Sequence, residues 1–327
     1  MIITRTPFRI SFFGGGTDYP GWYLGNGGAV LSTTIDKYSY LNCRAFPPFF
    51  ENKNRIVWSQ IENINNLDEI KHPSAREVLR FMNFDHGVSV HHDSDLPARS
   101  GLGSSSSFTV GLLHALHALK GKMLSKMELA KTAIHIEQNV LKENVGSQDQ
   151  IAASFGGFNK IEFNADHNFS VHPISIPSVK IRELNRHLML FFTGISRNAS
   201  EIAEEQIKTL SEKKKELQTM HAMVDRAIEI LNSQTDLNEF GKLLHEAWNV
   251  KRSLTGKIST PAIDGIYETA LQNGATGGKL LGAGGGGFIL FFVKPEHQQD
   301  IRSALKNLLE VPFEFENHGS QIVFYNP

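Results

Sequence analysis

The sequence predicts an α+β protein in two domains, with sheet and helices mixed in the first half and helices on one face of a sheet in the second. Three observations carry this reading. Short β-rich runs broken by glycine turns fill the first 45 residues, two helical patterns follow between 104 and 141, and an apolar hexapeptide at 288–293 lies among helical segments near the C-terminus. At 327 residues the chain is long enough for two domains, each with its own core.

Residues 8–13 alternate like a strand and stop at Gly14-Gly15-Gly16. The runs 29–35 and 38–43 are rich in β-branched and aromatic residues, and 87–90 adds a further strand. The segment Pro97 to Ser107 then enters a helix with apolar positions Val110, Leu112, Leu113, Leu116 and Leu119. Ser125 opens the next helix, its side chain as the cap and Glu128 completing a capping box. The apolar face of that helix runs through Met127, Ala130, Ile134 and Leu141 and carries Glu137 along. After a strand at 158–163, the polar, proline-bearing stretch 164–177 is the expected crossing between domains, giving an N-terminal domain of 1–170 and a C-terminal domain of 171–327. The second domain opens with a strand at 188–192 and a long helical region from near Asn198 or Ser200. Thr260-Pro261 caps and starts a further helix that Gly274 closes. A glycine-rich run at 277–287, the strand 288–293, a helix at 296–309 and two short β segments complete the chain.

Composition narrows the function classes. A net charge of −1 and a pI near 6.9 leave no concentrated basic face for nucleic acid. The single cysteine, Cys43, excludes an intramolecular disulfide and fits a reducing cytosol. The N-terminus lacks the apolar core of a signal peptide, and the run 288–293 is far too short to span a bilayer. The expectation is a cytoplasmic protein, a monomer or a homodimer, with no nucleic-acid or membrane partner.

The segment Pro97-Ala98-Arg99-Ser100-Gly101-Leu102-Gly103-Ser104-Ser105-Ser106-Ser107 is the most informative stretch. A glycine turn at a helix N-terminus presents unpaired N–H groups and the positive end of the helix dipole, which together bind phosphate. The glycines let backbone wrap a polyphosphate, and the serines add hydroxyls for phosphate or Mg²⁺. No Gly-x-x-x-x-Gly-Lys-Ser/Thr occurs, so this is not the lysine-bearing P-loop. Three glycine segments, at 14–16, 101–103 and 282–287, are together explained by backbone approaching a ligand from several sides. In the last of them glycines precede the strand, which is the wrong order for a dinucleotide fingerprint.

These three segments resemble the motifs of the GHMP kinases, the superfamily of galactokinase, homoserine, mevalonate and phosphomevalonate kinases. Pro97 to Ser105 matches the phosphate loop, Lys279 to Gly287 the C-terminal motif, and Thr6-Pro7-x-Arg9 through Asp18-Tyr19 the substrate motif. The resemblance implies an N-terminal domain like the second domain of ribosomal protein S5, a ferredoxin-like C-terminal domain, and a site between them using ATP and Mg²⁺. It implies that Pro97 and Ser100 to Ser107 bind nucleotide, with Ser104 and Glu137 as metal ligands. Asp149, in Gly146-Ser147-Gln148-Asp149-Gln150, resembles the catalytic aspartate that accepts or orients the attacking hydroxyl. Arg9 resembles the arginine set beside it to stabilise the transferring phosphoryl group. Gly15, Gly16, Thr17 and Asp18, with Gly284 and Gly285, would contact the substrate, Asp18 gripping sugar hydroxyls.

Gly15-Gly16 stand where galactokinases carry a Glu-His pair, which makes room for a different sugar. The motifs together most resemble the branch that phosphorylates the anomeric hydroxyl of D-glycero-α-D-manno-heptose 7-phosphate. Other sugar 1-kinases, with fucose- or galactose-like substrates, and a catalytically silent sensor stay as alternatives. A sugar phosphate needs a second anion site, for which Arg197, Lys251 and Arg252 are the candidates, though each reads equally well as a solvated charge. Taken alone, Asp149 reads as a helix-cap residue, Arg9 as a strand-edge charge, and Glu137 as a solvent-facing glutamate. His114 and His117, three apart on a helix, are read as packing or surface histidines, since no third metal ligand is evident.

Overall fold

Strand β1 (Ile2–Phe13) lies one place in from an edge of the N-terminal sheet and ends at the glycine turn that starts the site. The computed structural model describes residues 1–84, 87–195 and 199–327, with Ala199 and Ser200 by backbone alone. After β1 come helix α1 (Pro20–Asn26) and β2 (Gly28–Ala45), whose 18 residues pair with β1 along nearly their whole length. β3 (Asn54–Val57), β4 (Ile61–Ile64), α2 (Pro73–Phe81) and β5 (Val88–Ser94) lead to α3 (Ser104–Leu119). α4 (Lys126–His135) runs on into a single π turn over Ile136–Val140, and α5 (Gln148–Phe155) precedes β6 (Asn159–Phe163) and β7 (Phe169–Pro173). The second half holds α6 (Ser178–His187), β8 (Leu188–Phe192), α7 (Ala199–Thr209), α8 (Lys214–Asn232) and α9 (Asn238–Arg252). It continues with α10 (Pro261–Gln272), β9 (Ala275–Leu280), β10 (Phe288–Val293) and α11 (Gln298–Ala304). Three short strands finish the chain, β11 (Leu309–Glu310), β12 (Phe315–Glu316) and β13 (Gln321–Tyr325).

The first sheet follows the path β13-β1-β2-β5-β3-β4, with β6 and β12 also on β2. The second is β11-β8-β10-β9, antiparallel throughout. The stretch expected to cross between domains instead forms the β6–β7 hairpin, so a boundary at 170 falls inside a strand of the first sheet. The chain also returns at its end, where β12 and β13 pair with β2 and β1. Two-residue alternation marks a strand without naming its partner. The helical region near 200 divides into three helices.

The Ser125–Glu128 capping box forms as the sequence predicts, and Thr260 caps α10 through the Ile263 N–H. The buried stripe of α4 is Leu129, Ala130, Ala133 and Ile136, whereas Met127 is exposed. The two halves are knit by aromatics. Phe12 and Phe13 of β1 meet Phe240 of α9 with centroids 5.5 and 5.2 Å apart, and Phe240 meets Phe292 of β10. Burial of this size, about 25 cal/mol per Å² of apolar surface, fixes β1 against the second domain. Among the described residues no helix is long and apolar enough to cross a membrane.

Candidate active site

The cleft is assembled from six pieces of chain: the end of β1 with the turn after it, the phosphate loop, the segment 143–149 that leads into α5, α7 through Ala203 and Gln206, the end of α9, and the end of β9 with its turn. At its centre Arg9 Nε and Nη2 donate to Asp149 Oδ1 and Oδ2 at 2.8 and 2.9 Å, and Arg9 Nη1 donates to the Gly101 carbonyl at 2.7 Å. The Arg9 side chain is 6% exposed and that of Asp149 26%, so the guanidinium is held inside while the carboxylate meets the cleft. Bidentate pairing of this kind fixes both planes. Gly103 adopts φ +79°, and a Cβ there would lie 3.3 Å from Arg9 Cγ and 3.4 Å from Asp149 Oδ2. The phosphate-loop glycine therefore shapes the ion pair as well as the loop.

Asp18 is buried and accepts from the Gly16 N–H and from Gln148 Nε2, each at 2.9 Å. Burial, above all, raises its pKa, and nearby Asp149 adds to the rise. Gly146 is required beside it, since a Cβ there would sit 1.8 Å from Asp18 Oδ2. Ser11 Oγ and Gln148 Oε1 are buried and have no hydrogen-bond partner among the described residues, and both residues line the cleft with Gly15, Gly16 and Asp18. An unpaired buried polar atom costs about 1–3 kcal/mol, so such atoms mark a place for ligand hydroxyls. Thr17, expected to contact substrate, lies outside the cleft lining. Its hydroxyl bonds the Gly14 and Ala29 carbonyls and staples the loop from behind.

Along the phosphate loop, Gly101, Gly103, Ser104, Ser105 and Ser106 line the cleft at the N-terminus of α3. Pro97, Ser100, Leu102 and Ser107 do not. Leu102 is fully buried in the core, the Ser107 hydroxyl donates to the Pro7 carbonyl, and the Ser100 carbonyl accepts from the Phe288 N–H. Of the expected metal ligands Ser104 and Glu137, Ser104 lines the cleft, while Glu137 Oε2 accepts from Ser106 Oγ at 2.8 Å. Two residues along a helix turn the side chain by about 200°, and Ser104 instead accepts the Arg99 N–H. Glu137 is fully buried on the π turn rather than facing solvent, and it also accepts from Gln150. Burial pushes its carboxyl up to about 7, against the hydrogen bonds that lower it. His114 pairs with the Ser320 hydroxyl, and His117 with the Leu113 carbonyl.

The C-terminal glycine run does something other than expected. Gly284 packs on Ile258, with a Cβ position 2.8 Å from Ile258 Cα, and the Gly285 N–H donates to the Ile258 carbonyl at 2.9 Å. Neither lines the cleft. Gly282 and Gly287 lie against Gly101 and Ser100, so this run lets two loops approach backbone to backbone and holds the phosphate loop in place. Of the candidate anion ligands, Lys251 lines the cleft, whereas Arg252 pairs with Asp264 and lies over Trp248. Adjacent helical residues differ by about 100° in direction, which separates them. Arg197 lies outside the described residues. Lys279, given no role by sequence reasoning, is buried in the cleft wall with Nζ donating to the Ser11 and Phe12 carbonyls at 2.9 and 2.7 Å. Arg99, inside the phosphate-loop motif but given no role of its own, lines the cleft, and so does Glu143, to which no pattern in the sequence points.

The chain matches known proteins over nearly its whole length. Residues 70–157 match the GHMP kinases N terminal domain, and residues 227–311 match the GHMP kinases C terminal. The chain belongs to the GHMP kinases, and within them it is a sugar kinase that takes ATP as phosphate donor. It is 34% identical over 318 residues to the D-glycero-alpha-D-manno-heptose 7-phosphate kinase of Campylobacter jejuni, with 93% of each chain covered. It is 24% identical to the galactokinase of Pyrococcus furiosus, covering 93% of this chain and 92% of that one. The fold superposes on a D-glycero-D-manno-heptose 1-phosphate kinase from Bacteroides thetaiotaomicron with a TM-score of 0.82, 24% identity and full coverage of both chains.

Proposed function

We propose that the protein transfers the γ-phosphoryl group of ATP to the anomeric hydroxyl of D-glycero-D-manno-heptose 7-phosphate, giving the 1,7-bisphosphate. The observation that carries this reading is the Arg9–Asp149 ion pair set against Gly101 and Gly103, with Asp18 in the same cleft. Asp149 accepts the proton of the attacking hydroxyl, or orients that hydroxyl, and Arg9 balances charge on the group in transfer. The N-terminal amides of α3 hold the ATP phosphates. Asp18, with the unpartnered Ser11 Oγ and Gln148 Oε1, takes the ring hydroxyls. A Cβ at Gly15 would meet Ser11 and Gln148 at 3.7 and 3.8 Å, so its absence leaves these groups open to a bulky sugar. The similarity to the Campylobacter jejuni protein supports the heptose substrate.

Mg²⁺ in this cleft would draw on Glu137, which lies buried just behind the lining residue Ser106. Glu137 Oε1 is buried without a hydrogen-bond partner among the described residues, and Ser106 links that carboxylate to the cleft. Among the described residues no cluster of three or more His, Cys, Asp or Glu side chains could hold a metal, so such an ion would lean on Glu137, Ser106 and the phosphates. When bound it would neutralise charge on the ATP phosphates.

The test is ADP release across heptose 7-phosphate, free heptoses, galactose, fucose and mannose, with the product position read by ³¹P NMR. Heptose 7-phosphate is expected to give the highest kcat/KM and a phosphate on the anomeric carbon. Arg197→Ala is expected to raise KM for the phosphosugar about ten- to a hundredfold, as loss of one charge-assisted hydrogen bond implies. A wild-type preference for an unphosphorylated sugar refutes the heptose 7-phosphate assignment and leaves the sugar-kinase assignment standing.

A further inference from the structure

Two buried lysines, both from the C-terminal domain, face the cleft, and the established activity assigns neither a task. Lys251 is 7% exposed and Lys279 4%. Among the described residues neither forms a salt bridge, and each gives its hydrogen bonds to main-chain carbonyls. A buried ammonium without a counter-ion costs several kcal/mol after relaxation, so an anion is expected to complete at least one of them. Their surroundings differ. Lys279 makes two short bonds to Ser11 and Phe12, where the pairing of β1 with β2 shifts register, and so fastens the strand that leads into the Gly14–Gly16 turn.

Lys251 has another position. Its Nζ donates to the Gly282 carbonyl and, at 3.5 Å, to that of Leu280. Gly282 lies directly against Gly101, since a Cβ on Gly282 would be 2.5 Å from Gly101 Cα. Gly101 in turn receives Arg9 Nη1 at 2.7 Å, while the other Arg9 donors hold Asp149. The guanidinium thus bonds Gly101 itself and the ammonium bonds the Gly282 that packs on Gly101, one from each domain, and both residues line the cleft. With the attacking hydroxyl at Asp149 and the polyphosphate along the loop, as proposed above, the phosphoryl group in transfer would come within reach of both cations. A second phosphate on the acceptor would belong at the far end of the sugar.

We propose that Lys251 is a catalytic cation that acts with Arg9 on the phosphoryl group during transfer. The inference rests on the sugar-kinase assignment and on Asp149 as the group that meets the hydroxyl. In that step the acceptor oxygen forms a bond to the γ-phosphorus while the bond to the β,γ-bridging oxygen breaks. The bridging oxygen leaves on ADP with the electron pair, and the hydroxyl proton passes to Asp149. Lys251 donates to the non-bridging oxygens, whose charge is shared among more donors as the group moves. Burial first, then Arg9, lowers the Lys251 pKa to about 8 while Asp18 opposes them, and Lys279 faces it from β9. The ammonium must be charged to act, so turnover falls on the alkaline side as this proton is lost.

The experiment compares wild type, Lys251→Met and Lys251→Arg in the full-length protein, on heptose 7-phosphate and on the unphosphorylated heptose. Lys251→Met is expected to lower kcat about 10²–10³-fold on both acceptors, with acceptor KM within about threefold, as removal of one transition-state donor does. Lys251→Arg is expected to recover part of kcat and to move the alkaline limb of the kcat profile upward. A Lys251→Met kcat within about threefold of wild type overturns the proposal. So does a raised KM confined to the phosphorylated sugar with kcat intact, which would make Lys251 the ligand of the acceptor's own phosphate. If Lys251→Met does not fold, an unchanged alkaline limb in folded Lys251→Arg overturns it equally. Wild-type protein that releases no ADP with any acceptor would overturn the sugar-kinase assignment first, and this inference with it.

Discussion

Asp149→Asn separates what the cleft needs for folding from what it needs for chemistry. Asparagine keeps the shape of the side chain and an oxygen for one Arg9 donor. The other Arg9 N–H group then faces an amide NH₂, so one of the two bonds at 2.8 and 2.9 Å is lost. A hydrogen bond to a charged group contributes about 1.5–3 kcal/mol, and the partial exposure of Asp149 reduces that to about 1–2 kcal/mol here. The melting temperature is expected to fall by only a few degrees. The kinetic effect is larger. Loss of a positioned group that handles the hydroxyl proton costs about 10²–10⁴ in kcat, equivalent to about 3–5 kcal/mol. Binding of a non-hydrolysable ATP analogue, by calorimetry, is expected to stay within about threefold of wild type, since the proposed phosphate site is the 101–106 segment. The kinetic assay is ADP release at saturating acceptor. A kcat within about fivefold of wild type, in a protein that melts normally, refutes the role given to Asp149 and leaves transfer to rest on proximity and the phosphate loop.

Two further perturbations test the neighbouring walls. Gly103→Val places a β-branched residue at φ +79°, against Arg9 Cγ and Asp149 Oδ2, and is expected to weaken binding of a non-hydrolysable ATP analogue at least about tenfold. Unchanged affinity in folded protein would mean that the polyphosphate lies elsewhere. Glu137→Gln tests a cost of burial. A carboxyl raised to about 7 in the folded state binds its proton more tightly there than in the unfolded chain, so its contribution to stability falls as pH rises from about 4.5 through 7 and levels off above. The cost reaches about 3 kcal/mol in metal-free protein. The stability of Glu137→Gln relative to wild type, from urea unfolding, should therefore improve from pH 5 to pH 8, and a constant difference would refute this.

The motifs told which residues line the cleft wherever the lining is backbone at a fixed place in the chain. Gly101 and Gly103 open the helix N-terminus of α3, and the order of glycines, serines and apolar residues is enough to say so. The Ser125–Glu128 box and the Thr260 cap were equally local, because a cap and its partner lie within four residues. Position in the other direction had no local signal. Arg9 and Asp149 lie 140 residues apart and meet only because β1 and α5 pack at one end of the sheet. Whether Ser104 or Ser106 reaches Glu137 depended on the turn of α3 against the π turn, and Glu137 looks alike in sequence whether buried or solvated. The glycines at 282–287 marked close approach correctly but not what approaches, which is the phosphate loop itself and Ile258 for those named as substrate contacts. Lys251 and Lys279 could not be told from surface lysines. Burial and uncompensated charge are properties of the folded environment, and the sequence alone carries no record of which domain closes over a side chain.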